Sequence, residues 1–131
     1  MDETLAMDEN KHKILIAEDE PMMLKVLEYK LRKDGYIVFT AADGREASAK
    51  LKLEKPDLVI TDLTMPFISG LELVSIIKKN GEIKIPVIVL TDVDSENIVM
   101  EAFQLGADDF MTKPFSPNEL SIRVKKLLRN N

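Results

Sequence analysis

Three stretches of this chain are apolar with almost no interruption: Lys13 to Ala17 (KILIA), Leu58 to Thr61 (LVIT) and Pro86 to Leu90 (PVIVL). A strand with one wet face alternates apolar and polar residues, so runs without alternation predict strands covered on both sides. YIVFTA after Gly35 and the short FMT from Phe110 to Thr112 complete a set of five. Between them the apolar period lengthens to that of a helix: Leu24, Leu27 and Leu31 fall at i, i+3 and i+7, and Leu120, Val124 and Leu127 at i, i+4 and i+7. DGRE at Asp43 to Glu46 and SPNE at Ser116 to Glu119 fit capping boxes, the second with Pro117 at the first helical position. Gly35, Gly81 and Gly106 stand where helices should stop. Strands alternating with helices imply an α/β domain, a five-stranded parallel sheet wound on both faces by right-handed crossovers.

At 131 residues the chain fits one domain with a core large enough to need no staple, and it has no cysteine to make one. Thiolate metal sites and disulfide chemistry are thereby excluded. The opening residues, 1–12, carry acids where a secretory signal would be apolar, and they read as a disordered leader to a domain over 13–131. No stretch reaches membrane-spanning length, so a soluble cytoplasmic protein is expected. A net charge of −5 argues against direct nucleic-acid binding. The basic cluster of Arg123, Lys125, Lys126 and Arg129 reads as a solvated helix end that complements the helix dipole.

In an open parallel sheet, ligands bind beyond the carboxyl ends of the strands. The residues there are Glu18, Asp19 and Glu20 after the first strand, Asp62 after the third, Thr91 and Asp92 after the fourth, and Lys113 after the fifth. Each has an ordinary use, as a helix cap, a turn or a surface cation. Together they bring carboxylates, a hydroxyl and an ammonium to one mouth. A lone lysine does not neutralise that many carboxylates, whereas Mg2+, a hard cation that keeps waters, suits Asp19 and Asp62 with Glu18 acting through water. A carboxylate so neutralised can attack phosphorus and form an acyl phosphate, with Lys113 and Thr91 meeting the transferred oxygens.

ILIAEDE, PDLVITDLTMP with Gly70, PVIVLTD and GADDFMTKPF, in that order, resemble the receiver domain of two-component response regulators, the CheY-like family, from about Lys13 to Arg129. The resemblance implies a flavodoxin-like sheet of strand order 2-1-3-4-5. It implies Asp62 as the phosphoacceptor for a histidine kinase or phosphotransfer protein, and Glu18, Asp19, Asp62 and the Thr64 carbonyl as the Mg2+ site. Lys113 would bond the phosphoryl group and precede a cis bond to Pro114. Thr91 and Phe110 would be the switch pair, and partners or an output domain would read the face made by the fourth helix, fifth strand and fifth helix. The C-terminal stretch is most like receivers that precede a winged-helix DNA-binding domain, and there Asp109 with Arg123 would match a pair that bridges a homodimer.

Several residues depart from the family pattern. Asp92 replaces a small residue after Thr91, with Asp94 and Glu96 close behind; Phe110 stands where tyrosine is common; and Glu18 replaces the commoner aspartate. An added carboxylate beside an incoming dianion should slow phosphorylation or require an additional cation contact. Val99 and Leu105 stand near positions where family members carry dimer charges. His12 reads as a leader residue, the methionines as core filling or surface, and Phe67 as loop packing near the mouth. The chain is expected to be a switch rather than a turnover enzyme: the haloacid-dehalogenase pattern needs a second aspartate where Thr64 stands, and a flavin phosphate loop would be repelled by AEDEP. The alternative is a receiver-like interaction module that works without phosphorylation.

Overall fold

The computed structural model describes residues 11–79, 84–92 and 95–129. Most of the expected leader, with Gly81 and Asp94, lies outside the described residues. The strands are β1 (Lys13–Ala17), β2 (Ile37–Ala41), β3 (Leu58–Asp62), β4 (Val87–Thr91) and β5 (Asp109–Thr112). They alternate with helices α1 (Pro21–Lys33), α2 (Gly44–Glu54), α3 (Gly70–Lys79), α4 (Glu96–Gln104) and α5 (Pro117–Arg129). All neighbours in the sheet are parallel, in the order β2-β1-β3-β4-β5.

Why the apolar runs do not alternate is plain from the two cores. Leu15, Ala17, Val59, Val87 and Val89 face one side, against Ala47 and Leu51 of α2, Leu73, Val74 and Ile77 of α3, and Ala102 of α4. Their neighbours Ile14, Ile16, Leu58, Ile60, Ile88 and Leu90 face the other, against Leu27 and Leu31 of α1 and Leu120, Val124 and Leu128 of α5. Each side chain alternates direction, and both directions are dry. Removing such a leucine from water contributes roughly 2 kcal/mol, which the central strands repeat residue after residue.

Element ends follow local chemistry. Gly35 and Gly106 take the left-handed conformation after α1 and α4, at φ 101° and 111°. α2 stops without glycine, on Lys55 at φ 50°. Asp43 and Ser116 accept the expected cap bonds from the Glu46 and Glu119 N–H groups at 2.8 and 3.0 Å. The glutamates, however, turn forward: Glu46 pairs with Lys50 at 3.2 Å and Glu119 with Arg123 at 2.9 Å. An ion pair one turn ahead competes with the return bond to the cap that the box pattern expects. Tyr36 is not in β2 as expected; its N–H closes the end of α1 on the Leu31 carbonyl at 3.1 Å. No helix among the described residues is long and apolar enough to cross a membrane.

Candidate functional site

The chain crosses from β2 at the edge back over β1 to β3, so the crevice at the carboxyl edge opens between β1 and β3. Register then decides what meets there. Ala17 lies opposite Thr61, which brings the residues that follow, Glu18 and Asp62, side by side. Thr91 lies opposite Thr112, and the Lys113 N–H donates to the Thr91 carbonyl at 2.6 Å, so Lys113 enters the same crevice from the next strand pair.

The side chains converge as that register requires. Carboxylate oxygens of Glu18, Asp19 and Asp62 lie within 4.8 Å of one another. Glu18 is wholly buried and Asp62 13% exposed at its side chain, while Asp19 faces solvent. Lys113 Nζ reaches Glu18 Oε1 at 2.8 Å and Asp62 Oδ1 at 3.4 Å. Glu18 also accepts the Glu20 N–H at 3.2 Å, and Asp62 Oδ1 accepts the Leu63 N–H at 3.0 Å. Thr91 is buried at the end of β4, and Asp92 beside it is exposed. The Lys113–Pro114 peptide bond is cis.

One ammonium among three carboxylates leaves the crevice short of positive charge. Burial above all, and then the neighbouring Glu18 carboxylate, push Asp62 up to about 7 despite the opposing pull of Lys113 and the Leu63 N–H. Burial pulls Lys113 down, but its hydrogen bond to Glu18 and the charges of Asp62 and Glu18 prevail and hold it above the ordinary lysine value. The donors are hard oxygens at a half-open mouth, which is the ligand set that Mg2+ takes, and the three carboxylates form an acidic pocket able to bind it.

Other expectations resolve differently. Glu20 is not part of the pocket: its carboxylate caps α1, accepting from Met22 and Met23 N–H at 3.1 and 2.9 Å. Phe67 does not pack into its loop; it is 64% exposed with φ 71°, under the Arg45 guanidinium at 3.9 Å. Phe110 is half-buried against the α2/α3 core, its ring 6.4 Å from that of Phe103 on α4. Arg123 Nη1 bonds Asp109 Oδ1 at 2.7 Å within the one chain. Sequence reading missed two features. Ser69 caps α3, accepting the Glu72 N–H at 3.1 Å, and SGLE was the overlooked signal. Gly70 presses on the site so closely that a Cβ there would come within 2.1 Å of the Asp62 carbonyl oxygen.

Comparison with known proteins agrees with this geometry. The family described as "Response regulator receiver domain" matches residues 14–125. The alkaline phosphatase synthesis transcriptional regulatory protein PhoP of Bacillus subtilis (strain 168) is 42% identical over 119 residues, 91% of this chain and 49% of that protein. The chain thus spans about half the length of the curated relatives it matches. Among solved structures, the receiver domain of the Francisella response regulator 1452 superposes with a TM-score of 0.86 at 34% identity, covering 92% of this chain and 98% of that one. The signal receiver domain of a signal transduction histidine kinase from Syntrophus aciditrophicus gives 0.84 at 38%, covering 91% of each. A doubly wound sheet with an acidic crevice at its switch point, matched in sequence over most of its length, places the chain in the receiver-domain family of two-component response regulators.

Proposed function

We propose that this chain is a phosphorylation-activated receiver: Asp62 accepts a phosphoryl group from a histidine kinase or phosphotransfer protein in an Mg2+-dependent reaction. The altered face of α4, β5 and α5 then controls a partner or output domain. The observation that supports this most is the convergence of Glu18, Asp19 and Asp62 within 4.8 Å, with Lys113 bridging two of them.

Asp19 and Asp62 would hold Mg2+ directly, Glu18 through water, and the Thr64 carbonyl would be a further ligand. Bound there, the cation supplies neutralising charge for the carboxylates and for the transferred oxygens. An Asp62 oxygen forms the new bond to phosphorus as the donor's phosphorus–nitrogen bond breaks, and the leaving imidazole nitrogen keeps the electron pair. Lys113 Nζ is the group placed to leave its carboxylate partners for a phosphoryl oxygen. The Thr91 hydroxyl gains a charge-assisted hydrogen bond only in the phosphorylated state, which biases its loop, and Phe110 follows by packing alone because it has no hydroxyl. Transfer and later hydrolysis act on the chain itself, with no separate substrate turned over.

The receiver is assigned to residues 13–131, with 1–12 a leader, and works in the cytoplasm without contacting membrane or nucleic acid itself. Met22, Val26 and Tyr29 lie exposed one turn apart on α1, beside a groove of about 270 Å³ lined also by Phe115 and Pro117. An apolar row of that spacing suits a helical phosphodonor. A homodimer would use the α4-β5-α5 face, where Met100 and Phe103 are exposed. Asp109 and Arg123 would have to exchange their internal bond to bridge it.

Intact-protein mass after incubation with Mg2+ and acetyl phosphate tests the reading. A single phosphate adduct, lost with EDTA and in Asp62→Asn, is the expected result. No adduct in the wild type or in Asp92→Ala would refute it in favour of an interaction module that is never phosphorylated.

A further inference from the structure

The loop from Leu63 to Ser69 joins β3 to α3, and beyond Leu63 its backbone meets α2 rather than the carboxylates of the pocket. Phe67 sits in the left-handed region at φ 71°, which crowds any residue with a Cβ, and its ring is 64% exposed. Little burial therefore holds a bulky side chain in an unfavourable backbone state. What does face it is Arg45, whose guanidinium lies 3.9 Å from the ring centroid. Arg45 belongs to the first turn of α2, a helix fixed by the Asp43 cap and by Ala47 and Leu51 in the core. One residue earlier, the Gly44 N–H donates to the Pro66 carbonyl at 3.2 Å. A Cβ on Gly44 would come within 1.9 Å of the Ile68 carbonyl oxygen, so helix and loop backbones touch there.

Thr64 lies in this loop, between Asp62 and Phe67. We infer that Arg45 and Phe67 are positioning residues for the acidic pocket: their stack ties the loop to α2 and thereby sets where the Thr64 carbonyl stands. Gly44 supplies the close approach, and the stack selects one loop conformation from those the approach allows. The inference rests on the Mg2+ reading proposed above.

Calorimetric titration with Mg2+ alone tests it on the wild type and on Arg45→Ala, Phe67→Asn, Phe67→Tyr, Asp62→Asn and the Arg45→Ala/Phe67→Asn double variant. Asparagine accepts the left-handed backbone readily, so a residue that served stability alone would leave Phe67→Asn unharmed or improved in thermal midpoint and unchanged in Mg2+ affinity. A positioning pair gives a different pattern. Arg45→Ala and Phe67→Asn each raise the Mg2+ dissociation constant about two- to five-fold, the double variant no further than either, and Phe67→Tyr binds as the wild type does. Asp62-dependent binding that neither single variant weakens, or single effects that multiply in the double, would overturn the pair's role and leave the Mg2+ reading standing. A wild type that binds no Mg2+, or binds it equally in Asp62→Asn, would remove both.

Discussion

Replacing Asp62 by asparagine should stabilise the metal-free domain, and the gain should grow with pH. Asp62 is pushed from 3.8 up to about 7, first by burial and then by the Glu18 carboxylate. Because the folded value lies above the unfolded one, folding takes up a proton between those limits. The wild type therefore loses stability as pH rises from about 4 to 7, and above 7 it carries the whole penalty. The move from 3.8 to about 7 corresponds to roughly 4 kcal/mol in a site closed to water, and solvent screening at a mouth shared with exposed Asp19 cuts this to about 1–2 kcal/mol. Asparagine keeps an oxygen for the Leu63 N–H, which now sits 3.0 Å from Asp62 Oδ1, and removes the charge beside Glu18. Both partners of the Lys113–Glu18 bond at 2.8 Å stay in place, although Lys113 loses its second carboxylate at 3.4 Å. Urea denaturation of both proteins in EDTA at pH 5, 6.5 and 8 reads the difference directly, since every other titrating group is common to both. Asp62→Asn should lead by about 1–2 kcal/mol at pH 8 and by less than about 1 kcal/mol at pH 5. Mg2+ at a hundred times its dissociation constant should then add about 2.7 kcal/mol to the wild type alone and reverse the order. A gap independent of pH, or a wild type more stable than the variant at pH 8 in EDTA, would refute the charge-crowding argument.

Lys113→Ala leaves wholly buried Glu18 without its cation, and should cost about 3 kcal/mol or more near neutral pH in EDTA, read by the same denaturation, with part of the loss recovered on adding Mg2+. Gly70→Ala drives a methyl to within 2.1 Å of the Asp62 carbonyl oxygen; a loss of about 1–3 kcal/mol in urea is expected, together with slower labelling by acetyl phosphate, because the strand end carrying Asp62 must shift. Arg123→Ala breaks a 2.7 Å bond whose partners are partly exposed; it should change stability by less than about 1 kcal/mol, and a larger loss in the thermal midpoint would show the pair to be structural.

The fold and the positions of Glu18, Asp19, Asp62, Thr91 and Lys113 were legible in the sequence for one reason. Each lies at the carboxyl end of a strand or within two residues of it, and buried parallel strands are the segments whose apolar runs locate themselves most clearly. Order in a parallel sheet then carries those ends to one edge without any knowledge of side-chain torsions. Features that depend on competition between partners were not legible. Glu20 has the same charge as Glu18 and stands two residues away, yet its oxygens answer the unpaired N–H groups of α1; only the path of the chain separates a pocket carboxylate from a cap. Glu46 and Glu119 fit the box pattern equally well by spacing, but a lysine and an arginine one turn ahead take their carboxylates. Asp109 and Arg123, expected across a dimer, are near enough to pair within β5 and α5 themselves.

Phe67 shows the limit most sharply. Composition reads an aromatic next to proline as packing, because burial is what large apolar side chains ordinarily gain. Here the backbone turn between Pro66 and Gly70 requires a left-handed residue, and Gly44 lies so near Ile68 that the turn has little room to relax. A residue whose left-handed backbone is demanded by loop closure leaves no periodic trace in sequence. Its ring then lies under the Arg45 guanidinium instead of in the core. The elements that form the pocket are thus specified by apolar pattern, whereas the loop beside it depends on close backbone approach at Gly44 and Gly70 and on one ring under a guanidinium, and neither leaves a period in the sequence.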